Sequence, residues 1–341
     1  MRLYEISRGK KQAVIRYIIE KITQHDPHVT KTVSEVMDIN QNTVHSYITE
    51  LIEQEVVQRT KRGQYELVHQ KYEFCLERSK GDLDSDFYTY ENYLEKFFEN
   101  DSQNVREIWA YAFSEMINNV MDHSLASEAH IRVDRDSVST SVIISDNGVG
   151  IFRKLQEHFG FKSPDEAICE LFKGKLTTDS ANHSGEGIFF SSRMMDDFFI
   201  LSDGKVFCIN KYEESILANM KEFSAPGTCV YMRLSNTSNK KASEIFDRYT
   251  DVDSGFTKTS IPLKNIFDSS PVSRSQAKRL CNRMDCFEKV TLDFDGLDWM
   301  GQGFAHQLFI VFAREHPEIR LLPVNMNAAV EKMYNHVLAS K

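Results

Sequence analysis

The sequence predicts an α+β protein made of several domains. Its 341 residues exceed the usual size of one domain. Apolar residues recur at helical spacing in some segments and at alternating, strand-like spacing in others. A polar, turn-prone stretch at 77–86 interrupts these patterns and marks a domain boundary. We therefore expect three domains, at 1–70, 71–240 and 250–341.

Composition narrows the classes of function. The formal net charge is −9, so any contact with nucleic acid must come from a local basic patch. The six cysteines show no Cys-x-x-Cys spacing, and neither a metal cluster nor a disulfide framework is expected. No apolar run approaches the length of a membrane span, and no leader pattern is visible, so we expect a cytoplasmic protein without a membrane partner.

The first domain combines helical and strand patterns. Helical spacing covers 11–22, 29–37 and 43–54, and short strands cover 56–60 and 64–67. Asn40 is the expected N-cap of the third helix. Lys61, Arg62 and Gly63 lie between the two strands. Three helices followed by a basic hairpin resemble a winged helix-turn-helix domain.

This resemblance implies that the third helix and the hairpin contact DNA. Polar side chains at the start of the helix suit base edges, and basic side chains on the hairpin suit phosphates. The candidate residues are Gln41, Asn42, Thr43, His45, Arg59, Lys61 and Arg62. However, 40–54 contains no Lys or Arg, which weakens the expected affinity for DNA. Glu55 also replaces the glycine usual before the wing. DNA binding is the favoured prediction, and docking to a protein is the alternative.

The middle domain carries two motifs within 112–152. Glu115 and Asn119 are four residues apart on an amphipathic helix, so they project from the same side. After a strand, residues 146–150 read Asp-Asn-Gly-Val-Gly, a turn whose glycines let the backbone approach a ligand. Helices are expected to follow at 151–159 and 164–173. Each motif alone is common, because Glu/Asn pairs often lie on solvated helix faces and Asp-Asn-Gly is a frequent turn. In this order the two resemble the first motifs of the GHKL ATPase superfamily (gyrase B, Hsp90, MutL, histidine kinases). His123 makes the match closest to the anti-sigma-factor kinase branch.

Two further motifs follow in the order that this family shows. Gly185-Glu186-Gly187 opens an apolar helix, and the free backbone N–H groups of such a turn suit phosphate. This segment resembles the ATP-lid box, and Gly227-Thr228 resembles the last box, which opens a core strand. The resemblance implies a Bergerat-type α/β sandwich that binds ATP. Lys173 and Lys175, near the lid box, are candidates for contact with phosphates, but lysines in a polar loop are more often solvated, and solvation is the favoured prediction.

The resemblance also implies a role for each motif residue. Glu115 would act as the general base, and Asn119 would bind Mg²⁺ through its amide oxygen. Asp146 would accept a hydrogen bond from the adenine amino group. The remaining nucleotide-binding residues would be Gly148, Gly150, Gly185, Gly187 and Thr228. ATP and Mg²⁺ are thus the expected cofactors. No histidine lies between His69 and His123, which disfavours a conventional histidine kinase.

The last domain alternates strands and helices. Strands are expected at 290–294 and 319–324, and helices at 301–314 and 328–338, which predicts a small α/β domain. The pattern resembles STAS-like domains, as in anti-anti-sigma factors. A Ser or Thr at the start of the helix is phosphorylated in the true STAS pattern, whereas this chain has Gly301-Gln302-Gly303. A docking or regulatory role is therefore expected.

Three functional hypotheses remain open from the sequence. The first is an ATP-driven switch that gates binding of DNA or a regulatory protein, as in transcription regulation. The second is a serine/threonine kinase of the anti-sigma type that acts on a partner protein. The third is a sensor that binds nucleotide without turnover. Catalysis would accordingly be weak Mg²⁺-dependent ATP hydrolysis or phosphotransfer, and homodimerisation is common in the resembled families.

Overall fold

The computed structural model describes residues 2–176, 178, 185–209, 226–251, 253, 255–267 and 269–339, with side chains from residue 9 onward. The chain forms two compact units. The first contains 1–72 together with 133–140, and the second contains 73–132 and 141–341. None of the helices in the described ranges combines the length and apolar character needed to cross a membrane.

The first unit contains the three helices and the hairpin that the sequence predicts. The helices are Arg2–Thr23, Val29–Met37 and Gln41–Glu53, and the antiparallel strands are Val57–Lys61 and Gln64–Leu67. Asn40 is the N-cap of the third helix, where its side chain accepts a hydrogen bond of 2.8 Å from the N–H of Asn42. The apolar faces of the three helices and the hairpin form one buried core, which includes Val14, Ile18, Val33, Val44, Ile48 and Val57. Glu55 adopts the left-handed conformation (φ 56°) for which a glycine is usual.

A six-stranded sheet forms the framework of the predicted ATPase segment. In spatial order its strands are Gln70–Glu77, Glu128–Arg135, Ser139–Asp146, Thr228–Ser235, Asp197–Ser202 and Lys205–Cys208. The accompanying helices are Asp86–Tyr93, Gln103–Asn118, Ile151–Phe159, Pro164–Lys173, Gly187–Met194 and Ala242–Tyr249, with a 3₁₀ turn at Glu95–Phe97. The predicted helices at 151–159 and 164–173 have these bounds in the structure.

The Glu115 helix (Gln103–Asn118) does not continue regularly beyond Asn118. Its apolar side packs into the core, where Trp109, Phe113 and Ile117 are fully buried. Asn119–His123 then forms a π-helical turn, a feature that often occurs at functional sites. Arg78 donates hydrogen bonds to two carbonyl oxygens of this turn and so fixes the end of the helix.

The C-terminal part of the second unit is a three-stranded parallel sheet with helices. Strand Lys289–Asp293 is central and pairs with Lys258–Pro262 and Arg320–Val324. The helices are Leu263–Ile266, Arg274–Cys281, Gln302–His306, Ala313–Glu315 and Ala328–Ala339. The helix predicted at 301–314 is interrupted by a π-helical turn at Gln307–Phe312. The sequence did not predict Lys258–Pro262 or Arg274–Cys281, because the first is short and the second is mostly polar.

Candidate functional site

A cavity of about 240 Å³ brings together the motifs that are dispersed in the sequence. It lies against the Glu115 helix, the central strands and the segment around Gly185. The predicted residues that line it are Glu115, Asn119, Asp146, Gly150, Gly185, Gly187 and Thr228. Its apolar lining includes Met116, Val120, Ile144, Val149, Leu155, Ile200 and Val230. Largely apolar walls with a few polar groups suit a flat aromatic ligand such as a purine.

Asp146 lies at the end of its strand and is buried. Burial raises the pKa of this carboxyl, and the backbone N–H groups of Gly148 and Thr228, which donate to it, oppose that shift. The bond from Gly148 is 2.8 Å long. A carboxylate has about four acceptor positions, so two remain after these bonds. Asp146 can therefore accept a further hydrogen bond from a ligand in the cavity.

Gly148 does not line the cavity, but it shapes the turn that holds Asp146. A β-carbon at this position would clash with the backbone oxygen of Ser124. The next residue, Val149, donates its N–H to the same oxygen at 2.9 Å. The turn therefore packs directly on the end of the π-helical segment, and only glycine permits this approach.

Thr228 has a second contact that the sequence did not indicate. Its hydroxyl accepts a hydrogen bond of 3.1 Å from the backbone N–H of Ile151. The hydroxyl of Ser202 accepts from the same N–H, also at 3.1 Å. Thr228 thus connects the last motif to the start of helix Ile151–Phe159, and its backbone N–H binds Asp146.

Glu115 is half-buried, and its neighbours fix its position. Tyr111, one turn earlier on the same helix, donates its hydroxyl hydrogen to the Glu115 carboxylate. Burial, together with the charges of Glu115 and Glu186, raises the pKa of Tyr111 well above its usual range. On the opposite side, a β-carbon at Gly187 would clash with the Glu115 carboxylate. Glycine at this position therefore lets the segment that follows the lid motif approach Glu115.

Lys154 is a cavity residue that the sequence analysis missed. Its ammonium group donates a hydrogen bond of 2.6 Å to the backbone oxygen of His123. Burial lowers its pKa, and the nearby Asp122 opposes this shift. The sequence offered a signal, because Lys154 lies in the first turn of the predicted helix that directly follows Gly150, a predicted nucleotide-binding residue. Lys154 therefore places a cation in the cavity wall beside the π-helical turn Asn119–His123.

The prediction that Lys173 is solvated is wrong. Its side chain is 1% exposed and forms an ion pair of 2.6 Å with Glu170. The same ammonium donates to the backbone oxygen of Asn282. A buried ammonium group is costly unless other groups pair with it, so these two contacts hold Lys173 in the protein interior. Lys175 is exposed to a greater degree, but it also has specific partners, described below.

The predicted DNA-binding residues lie on the surface of the first unit. Gln41, Asn42 and His45 are exposed at the start of the third helix, and Thr43 is half-buried. The basic residues of the hairpin, Arg59, Lys61 and Arg62, are also exposed. The structure thus makes these side chains accessible, while their role stays a prediction.

The sequence predicts no metal cluster, but the structure brings three potential metal-ligating side chains together. Potential ligand atoms of Cys75, Glu128 and His130 all lie within 4.8 Å of one another. All three residues are exposed, and none lines the cavity described above. Because exposed ligand-type residues often gather without an ion, we assign no metal to this group.

Comparison with protein families identifies the segment that contains the cavity. Residues 105–238 match the model of the histidine kinase-, DNA gyrase B- and HSP90-like ATPases. They form a GHKL-type ATPase domain. The match extends from the Glu115 helix to just beyond strand Thr228–Ser235, so it contains every predicted nucleotide-binding residue. The GHKL assignment supports binding of ATP, generally together with Mg²⁺.

The C-terminal sheet has a family match of its own. Residues 276–331 match the STAS-like domain of unknown function (DUF4325). The match includes two of the three parallel strands, Lys289–Asp293 and Arg320–Val324. No curated protein is similar enough to the chain to match it. The GHKL domain is therefore followed by a STAS-like domain in the same chain.

Proposed function

We propose that this protein is an ATP-binding regulator in which the GHKL domain switches binding by the flanking domains. One observation carries the proposal: the GHKL cavity places a buried acceptor, Asp146, and a positioned acid, Glu115, in a single site. The N-terminal helices and the STAS-like domain would supply the surfaces for DNA or a protein partner.

The side chains of the cavity fit a nucleotide. Asp146 would accept the amino hydrogen of adenine, and the apolar lining would cover the ring. Backbone N–H groups near Gly185 and Gly187 would bind phosphates at the start of helix Gly187–Met194. Lys154 would add positive charge. Each part of the ligand thus has a complementary part of the cavity.

Asn119 also fits a hard divalent cation. Oxygen atoms are the protein ligands that Mg²⁺ prefers, and the amide of Asn119 supplies one in the wall of the cavity. When bound with nucleotide, Mg²⁺ would neutralise phosphate charge. Asn119 would hold the ion through its amide oxygen. Glu115 would accept the proton of a water molecule or an acceptor hydroxyl, and Tyr111 would keep its carboxylate oriented.

The N-terminal helices and hairpin support a winged helix-turn-helix that binds DNA. The third helix exposes polar side chains at its start, and the hairpin exposes three basic residues. Docking to a protein is the alternative, because the third helix itself carries no Lys or Arg.

Replacement of Arg59, Lys61 and Arg62 together by Ala should weaken binding to every duplex and reduce its salt dependence. Loss of phosphate contacts removes counterion release, and each contact contributes about 0.9 to the slope of log K against log salt. Fluorescence anisotropy of a labelled duplex over a salt series measures both quantities. Lys31→Ala, which removes an exposed lysine of the second helix, is the matched control. An unchanged slope and affinity in the triple variant would favour the protein-docking role.

Phosphotransfer to a partner protein, as in anti-sigma kinases, is the second candidate function. The same GHKL cavity and the position of Glu115 favour it. Incubation with labelled ATP discriminates between the hypotheses. Free phosphate alone supports the switch, label on an added protein supports the kinase, and binding without either product supports a nucleotide sensor.

The STAS-like domain should not be phosphorylated at the start of helix Gln302–His306. Gly301 and Gly303 occupy the start of that helix, and a β-carbon on Gly301 would lie 2.6 Å from the Val272 backbone. The tight packing and the absence of a hydroxyl at 301–303 leave no phosphate acceptor there. Mass spectrometry after ATP treatment should show no phosphopeptide from 256–341. Detection of one would support a self-acting kinase and count against the regulatory role.

A further inference from the structure

One wall of the nucleotide cavity lies directly against the STAS-like domain. We call it the Gly185 wall and define it as Leu171, Leu176, Gly185, Gly187 and Phe189, all of which line the cavity. The backbone N–H of Leu176 donates to the oxygen of Gly185 at 3.3 Å, so the two sides of the wall are joined. Gly187 belongs to this wall, and a β-carbon on it would clash with the Glu115 carboxylate, so the wall packs closely on Glu115.

Lys175, just before Leu176, is held by the STAS-like domain through both its backbone and its side chain. The Arg283 guanidinium donates a hydrogen bond of 2.9 Å to the backbone oxygen of Lys175. The Lys175 ammonium donates to the backbone oxygen of Cys286 at 3.0 Å and lies 5.0 Å from the centre of the Phe287 ring. Lys175 also adopts the left-handed conformation (φ 57°), which is unusual for a lysine and requires such support.

Phe256 contacts both sides of the same wall. It lies in the short strand Gly255–Phe256, which pairs with Thr250–Asp251 and ends two residues before strand Lys258–Pro262. A β-carbon on Gly174 would lie 2.6 Å from its ring, so the backbone before Lys175 packs tightly on it. On the other side, the ring centres of Phe256 and Phe189 are 4.6 Å apart. One aromatic side chain thus supports the segments that lead into and out of the wall.

Two further hydrogen bonds join the segments around the Gly185 wall to the C-terminal region, a boundary that we call the junction. The Thr259 hydroxyl donates to the backbone oxygen of Lys173 at 2.7 Å. Arg193, in helix Gly187–Met194, donates to the backbone oxygen of Ser260 at 2.8 Å. Burial lowers the pKa of Arg193 to about 10, and its interaction with Tyr249 opposes this shift. Contacts of this kind have few alternative arrangements, because an unpaired buried group is costly.

We propose that the STAS-like domain positions the Gly185 wall and thereby sets how the site distinguishes ATP from ADP. Arg283 is the principal positioning residue, because it donates a hydrogen bond to the backbone oxygen of Lys175, next to Leu176, and does not itself line the cavity. A protein partner that shifts the STAS-like domain would change nucleotide preference, and by linkage bound ATP would change the affinity for that partner. The inference rests on the proposed function, since it requires the cavity to bind nucleotide.

Arg283→Gln tests the proposal, with Lys278→Gln as the matched control. Lys278 is an exposed cation of the same domain, on helix Arg274–Cys281, so its replacement makes the same change in charge. In the nucleotide-free protein, hydrogen exchange of the Leu176 amide should become about tenfold faster in Arg283→Gln, because local opening is easier. Calorimetric titration should show the ratio of ATP to ADP affinity falling by about fivefold to twentyfold, a usual size for coupling between sites.

The control variant and the melting temperature separate positioning from general destabilisation. Lys278→Gln should match the wild type in both measurements. The proposal is overturned if Arg283→Gln leaves amide exchange and the affinity ratio unchanged. It is also overturned if ATP and ADP weaken equally while the melting temperature falls, since this would indicate a structural role alone. A different outcome is that the wild type binds neither nucleotide while hydrogen exchange of Leu176 still responds to Arg283→Gln. In that case Arg283 positions the Gly185 wall, but the proposed nucleotide function, and with it the effect on ATP and ADP, is wrong.

Discussion

Replacement of Glu115 by Gln is expected to lower ATP turnover on the order of 10²-fold or more, because the amide cannot accept a proton. Gln has nearly the same shape as Glu, so nucleotide should still bind in the cavity. Tyr111 can still donate its hydroxyl hydrogen to the amide oxygen, which should preserve the packing of the helix. A phosphate-release assay beside calorimetric titration would show loss of turnover with affinity retained.

Glu107→Gln provides a matched control for this result. Glu107 is an exposed carboxylate on the same helix and does not line the cavity. Its replacement should leave turnover and affinity at wild-type values. Turnover at the wild-type rate in Glu115→Gln would contradict the assignment of Glu115 as the general base.

Replacement of Asp146 by Asn should weaken ATP binding by about tenfold to a hundredfold, since hydrogen bonds to charged groups contribute about 1.5–3 kcal/mol. The wild-type carboxylate accepts from the N–H groups of Gly148 and Thr228 and still has acceptor positions for a ligand. An Asn amide offers one oxygen instead of two, and its NH₂ group would face a donor. Calorimetric titration of ATP measures the loss, with the exposed, non-lining Asp247→Asn as control.

The pH dependence of binding gives a second test of Asp146. Burial raises its pKa, so as the pH falls this carboxylate takes up a proton earlier than an exposed aspartate, whose pKa is about 3.9. Only the ionised form accepts through both oxygens. ATP affinity should therefore be full at neutral pH and decline on acidification in the wild type. The ATP affinity of Asp146→Asn should not show this decline on acidification. Parallel pH profiles for the two proteins, or normal affinity in the variant, would refute the role given to Asp146.

Local patterns in the sequence were sufficient for much of the fold. The helices at 151–159 and 164–173 begin and end as predicted, because apolar periodicity is strong there and Gly160 and Gly174 follow their last residues. Asn40 likewise marked the start of the third helix. The order of the four glycine and acid motifs predicted the GHKL fold, which the family match over 105–238 confirms.

Features that depend on long-range packing could not be predicted. The π-helical turn at Asn119–His123 is stabilised by Arg78, which lies far away in the sequence. Lys173 directly precedes a polar loop, yet it is buried, where its ammonium pairs with Glu170 and donates to the backbone oxygen of the distant Asn282. The hydroxyl contact of Thr228 with Ile151 also joins distant motifs. Such tertiary contacts override the local preference of a residue for solvent or for regular helix.

The junction with the STAS-like domain suggests how the GHKL domain could influence its surroundings. Conventional histidine kinases pass phosphate to a histidine, but no histidine lies between His69 and His123 in this chain. A site whose wall is held by a neighbouring domain can instead convert nucleotide state into a change of domain position. Energetic coupling of this kind requires only that each domain arrangement bind nucleotide with different affinity.

Calorimetric titration of ATP into the wild-type chain, with and without Mg²⁺, tests the central claim most directly. We predict saturable binding of one nucleotide per chain, tighter with Mg²⁺ than without it, that Asp146→Asn weakens. Absence of binding heat in both conditions, from a folded protein with a cooperative melting transition, would contradict the assignment of this cavity as an ATP site.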